Sequence, residues 1–199
     1  MEIKKILIIG DSFSSLQLAG TSGWPALLMN YYDINNISSP GIGEYKILQK
    51  LKSQNLKLYD LIILCHTSPY RVHCEENPLY DNNHMYRKSD ILFADAESKK
   101  TPIALSLCQY FNLVFDLDYY TFVHTKCCED IAELTKDIPV IHLTNFKWDE
   151  LYKFNDLINF YKFWQKNKGP YCHYNSEGSL QIANILLDKI KLIEYNHET

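Results

Sequence analysis

The segment from Leu58 to Cys65 contains the most apolar stretch of the chain, Leu61-Ile62-Ile63-Leu64-Cys65, and it constrains the fold more than any other. Successive side chains of a strand point to opposite faces, so a strand that is apolar at every position must be covered on both. A central strand of a parallel sheet with helices on either side provides that environment. A second apolar run, Ile3 to Ile9, stops abruptly at Gly10-Asp11-Ser12 and reads as a buried first strand. Residues 32–38 and the run Ile138-Pro139-Val140-Ile141-His142-Leu143 read as two more strands.

Between these strands the apolar residues fall at helical spacing. A helix is predicted from Trp24, with Pro25 in its first turn, and another from Glu44 to about Gln54, with Ile47, Leu48 and Leu51 inward. Helical patterns also cover Ile103–Phe115 and Tyr119–Thr135. The last helix is predicted from Ser176 to Ile193, with Leu180, Ala183, Leu186, Leu187, Ile190 and Ile193 as its core stripe. Strands alternating with helices specify an α/β protein built on a parallel sheet. Residues of about 66–100 are polar and lack a period, which marks an insertion that is either functional or flexible; residues 144–168 are rich in aromatics and fit no period. At 199 residues the chain reads as one domain, 1–199.

Composition narrows the function classes. A charged fraction of 22% beside 46% hydrophobic residues is that of a folded globular protein rather than a disordered chain. Net charge is −4, and the Lys and Arg residues are interleaved with acids, so no nucleic-acid footprint is present. The six cysteines form no Cys-x-x-Cys pair, which points to reduced, cytoplasmic usage. No stretch reaches the roughly 20 apolar residues of a membrane span. His66, His73, Cys74 and His84 match no metal-ligand spacing, so no metal or other cofactor is expected. The sequence carries no sign of oligomeric state.

Three separated pieces point to chemistry. Ser12 follows the first strand, where open α/β sheets place reactive groups. Gly41 follows the second, in Asn36-Ile37-Ser38-Ser39-Pro40-Gly41. His173-Tyr174-Asn175-Ser176-Glu177-Gly178 opens the last helix. A serine and a distant histidine form a plausible acyl-transfer pair. In order and spacing these pieces resemble the SGNH (GDSL-type) hydrolase superfamily over nearly the whole chain. The resemblance implies a three-layer α/β/α fold on a flavodoxin-like parallel sheet. It implies a serine esterase or O-acyltransferase acting on a small-molecule or carbohydrate ester, with O-acetyl groups favoured. Ser12 matches the nucleophile and His173 the base. The backbone N–H groups of Ser12 and Gly41 match oxyanion donors, and Ser68 stands where the family has an asparagine donor. The stretch Thr67-Ser68-Pro69-Tyr70-Arg71 also resembles the GSCFA-type branch. Asp11, His66, Thr67, Arg71 and Asn175 are the expected pocket residues, Arg71 facing either a substrate carboxylate or an internal acid, and Asn175 or Ser176 doubling as a helix cap. The family's acid, three residues before the histidine, is replaced here by Pro170. A Ser-His dyad oriented by a backbone carbonyl is the expectation, with Asp81, Asp90 or Asp95 of the insertion as substitute acids. A non-catalytic relative that binds a carbohydrate, an acylated ligand or a protein partner is the alternative.

Overall fold

The computed structural model describes residues 2–16, 23–147, 152, 154, 156–169 and 173–196. Strand β1 (Lys5–Gly10) leads through α1 (Trp24–Leu28) to β2 (Asp33–Asn36) and α2 (Glu44–Lys52), then to β3 (Leu61–His66). The polar insertion follows, with α3 (Phe93–Glu97), and then α4 (Pro102–Leu113) and α5 (Leu117–Thr135). The chain closes with β4 (Val140–Thr144), β5 (Ile158–Asn159), α6 (Tyr161–Lys166) and α7 (Ser176–Asn196).

All strand pairings are parallel, in the order β2-β1-β3-β4-β5. β1 pairs β3 with Ile8 opposite Ile63, and β3 pairs β4 with Ile63 opposite Ile141. Every residue of β3 is buried, as its uninterrupted apolar run demands. The period-2 alternation sorts the strand side chains into two cores. Ile6, Ile8, Ile63 and Ile141 pack with Trp24 and Leu28 of α1 and Ile182, Leu186 and Ile190 of α7. Leu7, Ile9, Ile62 and Leu64 pack with Ile47, Leu48 and Leu51 of α2 and Cys127 and Ile131 of α5. Helices therefore cover both faces, an arrangement compatible with three α/β/α layers.

Several helix ends follow local chemistry. Thr101 accepts a bond from the Ala104 amide ahead of Pro102, and Asp116 accepts from the Asp118 and Tyr119 amides. The structure shifts three sequence expectations. The segment at Leu56–Leu58 is a 3-10 turn, leaving Leu58 exposed before β3 begins at Leu61. The buried stripe of α7 runs through Gly178, Ser179, Ile182, Ala183, Leu186 and Ile190, so Leu180 faces out. Residues 66–100 carry their own framework: Val72 and Ile91 form an antiparallel bridge, and Leu79, Ile91, Ala96 and Ala104 make a small third core. Among the described residues no helix is long and apolar enough to cross a membrane.

Candidate functional site

The order of strands reverses between β1 and β3, and open α/β sheets form a crevice beyond the carboxyl ends of the strands at such a point. The segments after β1, β2 and β3 meet there. Gly10 lets the first turn press against β3: a Cβ on it would lie 2.5 Å from Cys65 Cβ and 2.6 Å from Ser14 Oγ. Ser39 N donates to Gly10 O at 3.1 Å, and Asn36 Nδ2 donates to Ser14 O at 2.8 Å. Trp24 Nε1 donates to Phe13 O at 2.9 Å and pins the segment just past Ser12.

Ser12 sits on this rim, partly buried, and among the described residues its hydroxyl has no hydrogen-bond partner, His173 included. Neither the Ser12 amide nor the Gly41 amide donates to another described residue. Gly41 has φ +73°, a conformation that favours glycine, and a Cβ there would lie 2.7 Å from Ser89 Cβ. His173 approaches from the far end of the chain, its ring centroid 5.2 Å from that of Phe13, the neighbour of Ser12. Tyr174 donates its hydroxyl proton to Asn145 Oδ1, and Asn145 Nδ2 reaches Cys65 Sγ at 3.3 Å, so the His173 segment is tied to the ends of β3 and β4. Asn175 caps α7, its Oδ1 accepting from Gly178 N at 2.7 Å. Pro170, with its carbonyl proposed to orient His173, lies outside the described residues.

Asp11 lies directly beneath the serine, fully buried. Its Oδ1 accepts from Phe13 N at 3.0 Å, which fixes the turn, while Oδ2 faces Arg71 Nη2 at 3.7 Å. Burial pushes its carboxyl up to about 6, against the opposing pull of Arg71 and the Phe13 amide. Arg71 is turned inward. Nε donates to Thr67 Oγ1 at 2.9 Å and Nη1 to Gly41 O at 3.0 Å, so its guanidinium links all three segments of the rim.

His66 and Thr67 lie under the rim. His66 has no exposed surface; Nδ1 bonds Glu44 Oε1 at 2.7 Å and Nε2 bonds His142 Nδ1 at 2.9 Å. The Thr67 backbone is gripped on both sides: its amide donates to Glu44 Oε2 at 3.1 Å, and its carbonyl accepts from His124 Nε2 at 2.8 Å and from the Tyr152 hydroxyl. Burial works to raise the Glu44 carboxyl, but His66, His124 and the Thr67 amide outweigh it and hold it below its ordinary value. Burial, with His66 adjacent, presses His142 down to about 3, so His142 is neutral and one proton bridges the two rings. Glu44, His66 and Cys128 place an O, an N and an S donor within 4.8 Å of one another, the one such group among the described residues. Two ligands of a tetrahedral zinc stand about 3.3 Å apart. The 2.7 Å between Glu44 and His66 is instead that of a hydrogen bond.

Ser68 is nearly buried and lines a cavity of about 50 Å³ with Glu44, Arg71 and His124. Of the three acids of the insertion, Asp81 is exposed. Asp90 is engaged by Gly43 N at 2.6 Å, Lys46 Nζ at 3.0 Å, His73 Nδ1 at 3.1 Å and Cys74 N at 3.2 Å. Asp95 is half-buried, and burial raises its carboxyl while Arg71 and Lys99 lower it. Sequence reasoning did not reach the roles of Glu44, His124 and Tyr152. They act on Thr67 across 23, 57 and 85 residues, and only the one-turn spacing of His124 and Cys128 on α5 hinted at a shared inward face. No protein-family model matches the chain, and no curated protein matches its sequence.

Proposed function

We propose that the protein is a serine ester hydrolase or acyltransferase of the SGNH type, with the flavodoxin-like strand order 2-1-3-4-5 and O-acyl groups of a carbohydrate, O-acetyl above all, as substrate. The observation that carries this reading is the rim itself. A Ser12 hydroxyl and Ser12 and Gly41 amides that engage no other described residue stand at the strand-order reversal, with the His173 ring one residue away against Phe13.

Ser12 Oγ attacks the ester carbonyl while His173 accepts its proton. The Ser12 and Gly41 amides, with the Ser68 hydroxyl, meet the charge that develops on the carbonyl oxygen. The protonated His173 then gives its proton to the departing alcohol, leaving an acyl-enzyme. Water or a second alcohol attacks the acyl carbon while His173 takes its proton; the bond from the acyl carbon to Ser12 Oγ then breaks, His173 passes that proton to Oγ, and the free acid or the new ester is released. Apo geometry in such sites is often looser than in the substrate complex, which accommodates a Ser12 and His173 that are not yet bonded.

The test is hydrolysis of acetylated sugars and 4-nitrophenyl acetate by the parent chain and by Ser12→Ala. Turnover should fall by about 10³-fold or more in the variant. Equal turnover refutes the nucleophile assignment. The missing Ser12–His173 bond favours a second reading, a binding module for an acylated or carbohydrate ligand. Saturable binding of an acetylated sugar with no turnover would select it.

A further inference from the structure

Helix α4 is an element that the fold leaves largely uncovered. No charged residue occurs from Thr101 to Phe115, yet of the residues in α4 only Ala104 is buried. Leu107, Cys108 and Phe111 pack partly against the third core. Elsewhere on the helix Leu105 is 61% exposed and Ile103 44%, and at its end Leu113 is 82% exposed and Val114 65%. A helix that faces water carries charged or polar residues on its outer side, and clustered apolar exposure marks an interaction site. A pocket of about 410 Å³ opens at the same helix, lined by Asn112 and by the rings of Tyr70, Phe93, Phe111 and Phe115. Its rings brace one another, with centroids 5.6 Å apart for Phe93 and Phe111 and 5.2 Å for Phe111 and Phe115, so the socket is preshaped.

The charges at the two ends of this helix point to what covers it. Lys99 and Lys100 precede the uncharged run, and Asp116 and Asp118 follow it. Lys100, Asp116 and Asp118 are exposed, and Lys99 is held 4.5 Å above the Tyr80 ring. Leu105, Cys108, Gln109 and Asn112 fall at i, i+3, i+4 and i+7 and share one face. Two copies of α4 laid antiparallel, about a two-fold axis between Cys108 and Gln109, match along that face. Leu105 of each copy falls at Asn112 of the other, where the pocket opens. Val114 falls at Ile103, and Lys99 falls at Asp118. A two-fold interface must be self-complementary, and this stretch is so in charge and in apolar surface alike. A lipid surface fits less well. Helices lying in a membrane surface carry Lys and Arg on their polar face, whereas α4 has none and Asp116 and Asp118 stand close to the exposed Leu113 and Val114.

We infer that the protein self-associates as a two-fold dimer through antiparallel pairing of α4, with Leu105 of each copy seated in the aromatic pocket of the other. The inference is independent of the chemistry at Ser12. With 12 residues in α4, the paired face is about 18 Å long. A face of that length is at the small end for specific interfaces, so the dimer is reversible and of micromolar strength.

The test is sedimentation equilibrium of the parent chain at concentrations up to about 100 µM, beside Leu105→Asp, Asp118→Lys and the double exchange Lys99→Asp with Asp118→Lys. Circular dichroism checks that each variant folds, and the charge exchange keeps the test decisive without Leu105→Asp. The parent should show a reversible monomer–dimer equilibrium. Leu105→Asp withdraws two leucines per dimer and should weaken association by at least about 100-fold. Asp118→Lys sets like charges opposite one another and should weaken it about tenfold, and the double exchange should return it to within about threefold of the parent. A parent that stays monomeric overturns the inference, and its binding to vesicles of neutral or anionic lipid would assign α4 to a membrane surface instead. A dimer that Leu105→Asp leaves intact overturns the role of α4. A dimer that Asp118→Lys does not weaken, or that the double exchange does not restore, overturns the antiparallel arrangement.

Discussion

Asp11→Asn should change how the protein's stability depends on pH. The substitution keeps an oxygen to accept from Phe13 N at 3.0 Å, so the turn that carries Ser12 is retained. It removes a carboxyl that burial pushes from its ordinary 3.8 up to about 6. A folded-state value above the unfolded one means that the folded state holds the proton more tightly. Its contribution to stability is therefore complete below the unfolded pKa and is lost as pH rises through the folded one. Between about pH 4.5 and about pH 7.5 the parent should lose about 2 kcal/mol relative to Asp11→Asn. With a urea slope of about 2 kcal/mol per molar, the two midpoints should diverge by about 1 M across that range. The assay is urea unfolding of both proteins at several pH values, followed by tryptophan fluorescence. Groups common to both proteins cancel in the difference. Parallel pH profiles would refute the reasoning, and a parent that gains stability over the variant as pH rises would invert it.

Other substitutions probe the scaffold beneath the rim. Glu44→Gln replaces one of two buried acceptors with a donor that faces His66 Nδ1 or the Thr67 amide, and should cost about 2–4 kcal/mol by chemical denaturation. Because Glu44 is held below its ordinary value, its contribution is present above the unfolded pKa and lost as pH falls through the folded one, so this gap should narrow in acid. Gly41→Ala places a Cβ 2.7 Å from Ser89 Cβ at φ +73°, and should cost about 1–2 kcal/mol from the backbone alone, with any ester turnover reduced further through displacement of the Gly41 amide. Ile63→Ala, at the centre of β3 with no exposed surface, should cost about 2–5 kcal/mol in thermal or urea unfolding.

The parallel sheet was legible because β3 is apolar at every position, and only helices on both faces satisfy such a strand. Its start was less legible: Leu58 is as apolar as Leu61, yet the chain turns at Leu56–Leu58 before entering the sheet, and no local signal distinguishes the two leucines. Leu180 was misplaced on the inward stripe of α7 for a related reason. The small residues Gly178 and Ser179 occupy the buried positions where the helix runs close to its neighbours, and close approach outranks hydrophobicity there. At the rim, the glycine and serine positions could be read from strand ends. The network under Thr67 could not, because Glu44, His66, His124, His142 and Tyr152 are brought together only by tertiary packing. The insertion hid its order in the same way. Asp90 reads as one acid among several, but once buried it collects two amides, a lysine and a histidine, and it anchors the segment beside Gly41.

The most direct test of the central claim is covalent labelling with a fluorophosphonate, read by intact mass on the parent chain, Ser12→Ala and His173→Ala. An activated serine at the rim predicts a single adduct on the parent and none on either variant. An unlabelled parent that is folded, or a Ser12→Ala variant that labels as the parent does, contradicts it.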